Sequence, residues 1–312
     1  MENLIVCLNA VLPLLVTMLL GYAARRMGKL GEQEILRMNN VAFFFFMPCL
    51  LFDNVYKADI SGILNGKLLL FTAVSLLVIF IAGYFYTVRN FREKADQSVI
   101  LMGIFRSNCA ILGLPLVKSL MPGADISVAA ILVAVVATVN NVLAVLCLSI
   151  FSGKKHSVAQ VILDLIKNPL IVGSAAGILF SFMGWRLPAF AEKVVSDLSQ
   201  MSSPLLIFLL GAFFRFENFA SHRKELAVTC FAKLLLVPGI FLTLGWLAGF
   251  RGIELASLLA AFAAPAAVTS FTMAQQMDGN SRLAGDIVVF TSALCPFTLF
   301  LWCMAVKVLG AV

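Results

Sequence analysis

Apolar stretches about 20 residues long follow one another through almost the whole chain with only short polar breaks, each long enough to cross a hydrocarbon layer of about 30 Å. Inside lipid a backbone finds no water for its N–H and C=O groups, so a segment of this length satisfies them internally, as an α-helix. The apolar windows lie near residues 4–24, 34–56, 67–88, 97–121, 125–150, 158–183, 191–214, 225–249, 254–277 and 283–309. They predict an all-α polytopic membrane protein with ten transmembrane helices.

Composition excludes the soluble alternative: 61% of the 312 residues are apolar and 12% charged, against about a quarter charged in an ordinary globular domain. The net charge of +7 does not point to nucleic acid, because Lys and Arg form short clusters between spans and not a stripe along one face. Glu2 precedes the first span and Arg25 and Arg26 follow it, the reverse of a cleavable signal peptide, so this span is expected to be retained. Loops after odd-numbered spans hold 14 Lys and Arg, against 7 in the other loops and the C-terminal end. Because positive loops resist translocation, the odd loops are expected inside and both termini outside, across the plasma (inner) membrane.

The seven cysteines, at 7, 49, 109, 147, 230, 295 and 303, all lie within apolar segments without a Cys-x-x-Cys pair, as small buried apolar residues do. The two histidines, His156 and His222, fall in predicted loops, which leaves little from which to build a metal site or a catalytic relay. No cofactor is expected. No Gly-x-x-x-x-Gly-Lys-Ser/Thr loop, His-Glu-x-x-His motif or pair of mid-span aspartates appears, so the chain does not have the marks of an ATP-binding subunit of that kind or of an intramembrane enzyme.

The loop carrying Gly153, Lys154, Lys155 and His156 lies at the midpoint and divides the chain into halves 1–152 and 153–312. Five spans per half bring the second half in from the opposite side, so a 5+5 inverted repeat is expected. Prolines pair across the halves: Pro13 with Pro169 and Pro48 with Pro204 at a spacing of 156, and Pro115 with Pro265 at 150. The plainer reading is that proline is common in membrane helices. Spans 4 and 9 each hold a proline close to polar residues at mid-span. Span 4 holds Arg106, Asn108, Gly113 and Pro115 together, and span 9 holds Pro265 followed by Thr269, Ser270 and Thr272. Interrupted helices at matching positions of inverted halves point to a transporter's binding site, where half-helix N-termini hold an anion; simple kinks are the alternative.

The segment Asn108-Cys-Ala-Ile-Leu-Gly-Leu-Pro115-Leu, the pair Asn140-Asn141, Lys167-Asn168-Pro169-Leu, Pro204-Leu-Leu with Gly211, and Ala264-Pro265-Ala resemble the auxin efflux carrier family over nearly the whole chain. That family comprises the plant PIN-formed carriers and prokaryotic proteins often labelled malate or malonate permeases. The resemblance implies an elevator-type carrier of a small organic anion, with a scaffold of spans 1, 2, 6 and 7 and a transport domain of spans 3, 4, 5, 8, 9 and 10. It also leaves room for a homodimer through the scaffold. Proton or sodium coupling stays open. The long cytoplasmic loop of the plant carriers is missing here, so regulation through it is not carried over.

The candidate binding residues are Asn108, Pro115, Asn140, Asn141, Pro265, Thr269, Ser270 and Arg106. Asn108 offers an amide to a carboxylate; helix-to-helix hydrogen bonding is its alternative. One of Asn140 and Asn141 is expected to face the crossing and the other to bond a neighbour. Arg106 supplies positive charge inside the span, or else snorkels to an interface; Lys233 is expected to snorkel. The hydroxyls of Thr269, Ser270 and Thr272 contact substrate or an ion, or bond back to helix carbonyls. Local ion pairs are expected between Asp286 and Arg282 and between Asp164 and Lys167. Gln275 and Gln276 are expected at a solvated helix end, with an ion site as the alternative. A membrane sensor or partner subunit that binds without transporting is the competing function.

Overall fold

The computed structural model describes residues 2–57, 65–152, 167–215 and 222–308, so the midpoint loop with His156 and the Asp164 partner of the predicted Asp164–Lys167 pair lie outside the described residues. Every regular element within them is helical. In chain order these are α1 (Glu2–Arg26), α2 (Glu32–Tyr56), α3 (Gly66–Asn90), α4 (Lys94–Phe105), α5 (Cys109–Leu120), α6 (Ser127–Phe151), α7 (Pro169–Met183), α8 (Ala189–Phe213), α9 (Arg223–Leu247), α10 (Ile253–Ala263), α11 (Thr269–Gln276) and α12 (Ser281–Val308). Among the described residues, α2, α3, α4 with α5, α6, α8, α9 and α12 are seven stretches long and apolar enough to cross a membrane. α7 and α10, with 15 and 11 residues, are apolar but shorter. Outside α7, whose predicted window begins at 158 and lies partly outside the described residues, the outer bounds follow the apolar windows to within a few residues, because transfer of apolar side chains into lipid is what selects both.

Side-chain oxygens supply several helix starts. Asn65 Oδ1 accepts from Leu68 N ahead of α3, and Asn168 Oδ1 accepts from Leu170 N ahead of α7, where Pro169 takes the first position and gives up no bond. α7 ends on Gly184 at φ +65, and Trp185 N reaches back to the Phe180 carbonyl at 3.0 Å.

α1 packs along α8, and α2 along α7. Both pairs approach until backbones touch. An added Cβ at Gly21 would stand 1.9 Å from the Phe208 carbonyl oxygen, and one at Gly211 1.9 Å from that of Met18. At the second pair, Gly173 and Gly177 lie one turn apart on α7 and face the backbones of Pro48 and Phe52. This Gly-x-x-x-Gly spacing lets membrane helices make close van der Waals contact without help from water.

α2 and α9 each contain a π-helical turn, Ala42–Phe46 and Ala232–Leu236, and in each a proline follows two residues later, Pro48 and Pro238. Proline removes the N–H that would pair four residues back, so the Leu234 carbonyl lacks its helical donor. The Trp302 indole of α12 donates to it at 2.9 Å.

The ends of α1, α2, α8 and α12 are tied by charge. Glu32 accepts from Arg215 at 2.7 Å and has Arg25 and Arg282 at 3.9 Å, while Arg25 also donates to the carbonyls of Ala212 and Phe213 that close α8. The predicted Asp286–Arg282 pair does not form: Arg282 turns outward to Glu32, and Asp286 lies buried in α12. Lys233 does not snorkel either. It is 1% exposed, buried within the π turn of α9. Cys109, Cys147, Cys230, Cys295 and Cys303 are buried, and Cys49 is half-buried.

Candidate functional site

Two helix interruptions meet at the centre. α4 stops at Phe105, and the chain runs extended through Arg106 (φ −73, ψ 134) before α5 begins at Cys109; α10 stops at Ala263, and Ala264 (φ −66, ψ 151) leads through Pro265 to α11 at Thr269. The strands of chain between the half-helices bond to each other, Asn108 N donating to the Pro265 carbonyl at 2.8 Å. Ala266 N is held by the Thr291 hydroxyl of α12 at 3.2 Å. The crossing therefore places two half-helix N-termini, of α5 and α11, beside one another. The aligned peptide dipoles make both ends positive, although the Ser270 and Phe271 amides of α11 already donate to the Ala267 and Val268 carbonyls at 2.9 and 3.1 Å, and that of Ile111 to the Asn108 carbonyl at 3.2 Å.

The break in span 4 corrects the expected position. Gly113 and Pro115 lie inside α5, and Pro115, seven residues past Asn108, does not line the central cavity. It acts instead by removing an N–H within α5 and freeing the carbonyl of Ile111, which does line it. Pro265 stands in the break as expected.

Arg106, 2% exposed, spreads its guanidinium over neutral groups only. Nη2 donates to Asn141 Oδ1 at 2.8 Å and to the Thr269 hydroxyl at 2.9 Å, and Nη1 to the Ser270 hydroxyl at 3.2 Å and to Met273 Sδ at 3.1 Å. Among the described residues no carboxylate pairs with it. A buried guanidinium without a counter-ion is costly, since a charge in a low-dielectric interior needs a partner of opposite sign.

Beside it lies a cavity of about 50 Å³ lined by Arg106, Ser107, Asn108, Asn140 and Asn141, by Ala267 to Thr269, and on the far wall by Leu50 and Asn54 of α2 and Ser203 and Leu206 of α8. Ten buried side-chain polar atoms among the described residues have no hydrogen-bond partner, and five of them are here: Arg106 Nε, Ser107 Oγ, Asn108 Nδ2, and both Nδ2 and Oδ1 of Asn140. All but the Asn140 oxygen can donate. Unsatisfied donors around a positive charge are chemically suited to an acceptor-rich, negative group.

The sequence reading of Asn140 and Asn141 divides as follows: Asn141 bonds Arg106, Asn140 keeps both polar atoms unpartnered, and both line the cavity. Thr269 and Ser270 accept from Arg106 and do not bond back to their own helix. Ser107, Asn54, Ser203 and Met273 were not singled out from sequence, and only the polarity of Ser107 between Arg106 and Asn108 could have signalled one of them.

Asn39 is the other residue that sequence reasoning passed over. Fully buried in α2, it accepts from the Thr272 hydroxyl at 2.7 Å and donates to Gln275 Oε1, while Gln275 Nε2 donates to the Leu36 carbonyl at 3.3 Å. Gln275 is thus engaged with α2 and is no solvated end. Substituting Asn39→Leu leaves the Thr272 hydroxyl and the Gln275 carbonyl without partners and is expected to lower stability by about 2 kcal/mol, to be read as a fall in the melting temperature in detergent. Melting equal to wild type would mean that this contact between α2 and α11 holds nothing.

The family model for membrane transport proteins matches residues 6–303. An uncharacterized transporter of Methanothermobacter thermautotrophicus is 24% identical over 298 residues, covering 94% of this chain and 96% of that protein. The uncharacterized transporter YfdV of Escherichia coli K12 is 23% identical, covering 89% and 92% respectively. Auxin efflux carrier component 3a of rice, Oryza sativa subsp. japonica, is 25% identical over 142 residues, 43% of this chain and 23% of its own length.

Proposed function

Because the chain belongs to the membrane transport protein family, the family of the auxin efflux carriers, we propose that it is a secondary carrier of a small organic anion, a carboxylate, moved by elevator-type alternating access. The observation that carries this reading is Arg106, a buried cation with only neutral partners, set among unsatisfied donors where two half-helix N-termini meet. A carboxylate accepts on both oxygens and supplies the missing charge, and the planar guanidinium fork with its free Nε–H matches that geometry.

A ten-span, 5+5 inverted arrangement follows if α4 with α5 and α10 with α11 each count as one crossing. The packing favours it: α1 lies on α8 as α7 lies on α2, and α4 contacts α3 and α12 as α10 contacts α9 and α6. Arg106 and Ala264, the extended residues that end α4 and α10, are 158 apart, close to the 156 of the first two proline pairs. In this reading α1, α2, α7 and α8 form the scaffold and the remaining helices the moving body. The termini lie outside the inner membrane. Two copies would pair through the scaffold, where Phe182 and Phe190 stand exposed.

The cavity wall belongs partly to each body, Leu50, Asn54, Ser203 and Leu206 on the scaffold and the crossing on the other. At about 50 Å³ it holds water-sized groups, well short of the hundreds of Å³ that small-molecule sites occupy. Admitting an organic acid then requires the crossing to part from α2 and α8, the displacement an elevator supplies. Uptake of labelled mono- and dicarboxylates into proteoliposomes under imposed gradients tests the proposal; binding without any uptake would favour a sensor. Asn108→Ala is expected to weaken carboxylate binding about tenfold with unchanged melting, since Asn108 Nδ2 has no partner to lose. Unchanged affinity would remove Asn108 from the site.

A further inference from the structure

A second cavity, about 520 Å³ and ten times the volume of the first, runs between α3 and α9 over a floor that includes Ile104. Its walls are Val78, Ala82 and Tyr86 on α3 and Val228, Phe231 and Ile240 on α9. Val78, Tyr86, Phe231 and Ile240 are also exposed, so the groove opens sideways from two helices long and apolar enough to span a membrane. An apolar groove of this size facing hydrocarbon is filled by hydrocarbon, because water there would have almost nothing to bond.

Its two ends differ. Val78, Ala82 and Tyr86 follow one face of α3 at four-residue intervals, and Arg89 and Asn90 continue that face by one more turn. On α9, Lys224 stands one turn before Val228. The two walls therefore end together in Arg89 and Lys224, both exposed. Lys224 Nζ sits 5.4 Å from the centre of the Phe91 ring, which in turn lies 6.3 Å from the Tyr86 ring at the mouth of the groove. Among the described residues neither Arg89 nor Lys224 is ion-paired; Glu93 and Glu225, each next in sequence to a basic residue, are the acidic groups nearest in the chain. By the loop-charge rule this end is cytoplasmic, the side on which basic residues between spanning helices hold anionic headgroups.

We propose that the α3–α9 groove is a binding site for an anionic phospholipid, one acyl chain lying along Ala82 and Ile240 and the phosphate held between Arg89 and Lys224. The assignment concerns binding alone and does not depend on the transported substrate.

The test uses the full chain purified in detergent, incubated with dioleoyl phosphatidylglycerol or with phosphatidylcholine of the same chains, and read by native mass spectrometry. Phosphatidylglycerol should stay bound where phosphatidylcholine is lost. The double variant Arg89→Gln, Lys224→Gln should bind phosphatidylglycerol about thirtyfold more weakly, as expected for two basic residues near a headgroup. Ala82→Trp, which fills the groove, should abolish the adduct. Equal retention of the two lipids, or a double variant that binds like wild type, would overturn the proposal, as would displacement of the lipid by glycerol 3-phosphate alone. Both charged positions are exposed, so the double variant folds and carries the test if Ala82→Trp does not.

Discussion

Replacing Arg106 with Gln is expected to cut carboxylate binding by about 100-fold, equivalent to about 3 kcal/mol lost with a charge-assisted pair, and to abolish uptake, while the protein melts at the same temperature or higher. The two halves of this expectation come from one fact. Arg106 is buried among Asn141, Thr269, Ser270 and Met273, none of them charged. Without substrate its charge is uncompensated, so removing it relieves a cost, much as replacing buried ions by neutral groups is often neutral or stabilising. A residue there only to hold the crossing together would behave in the opposite way, losing stability first. Arg106→Lys should be intermediate, because it keeps the charge but loses the planar fork and its free Nε–H. Uptake in proteoliposomes and thermal melting of the same preparations separate the outcomes, and normal uptake by Arg106→Gln would remove the anion site from the crossing.

The second large effect is structural. Gly211→Leu is expected to cost more than about 4 kcal/mol, as overpacking against backbone does when neither helix can yield, and to leave little monodisperse protein. A Cβ at position 211 falls 1.9 Å from the Met18 carbonyl oxygen, and one at Gly21 falls 1.9 Å from that of Phe208, so the crossing of α1 and α8 is closed from both sides. The obstacle is backbone in each case, which cannot rotate away as a side chain can. Even Gly211→Ala should lower the melting temperature clearly. Gly66→Ala at the start of α3, where an added Cβ meets nothing within 4 Å, is the matched control and should melt like wild type. A Gly211→Ala protein as stable as that control would show that α1 and α8 need not touch. In the proposed carrier these two helices belong to the stationary body, and close backbone contact is a way to make it rigid without a hydrophobic driving force between helices.

The limits of sequence reading are clearest at the two interruptions. Pro265 marks its own break, because a proline in an extended run ends a helix through purely local constraints. The other break has no proline or glycine in it. Arg106, Ser107 and Asn108 leave the helix because Asn108 N finds the Pro265 carbonyl at 2.8 Å; the partner is over 150 residues away, and Gly113 and Pro115, the breakers visible in sequence, remain helical. The identity of Asn108, Asn140, Asn141, Thr269, Ser270 and Arg106 as polar groups within apolar spans was legible. Which of them join, and that Arg106 joins them without a carboxylate, was not.

Lys233, Asp286 and Asn39 make the same point away from the crossing. From sequence a lysine within an apolar span is expected to reach for the interface, and an aspartate four residues after an arginine to pair with it. Lys233 instead lies buried within the π turn ahead of Pro238, and Glu32, brought to Arg282 by packing, takes that arginine away from Asp286.

The stretches of apolar residues about 20 long by themselves determined that this chain is helical, roughly where most of its spans enter and leave, and that it lives in a membrane, because transfer from water to hydrocarbon is summed residue by residue along the chain. The place where the fourth span opens, the contact of α1 with α8 and the company kept by Arg106 were decided only by the tertiary structure, because each depends on a backbone group or side chain brought from a distant part of the chain.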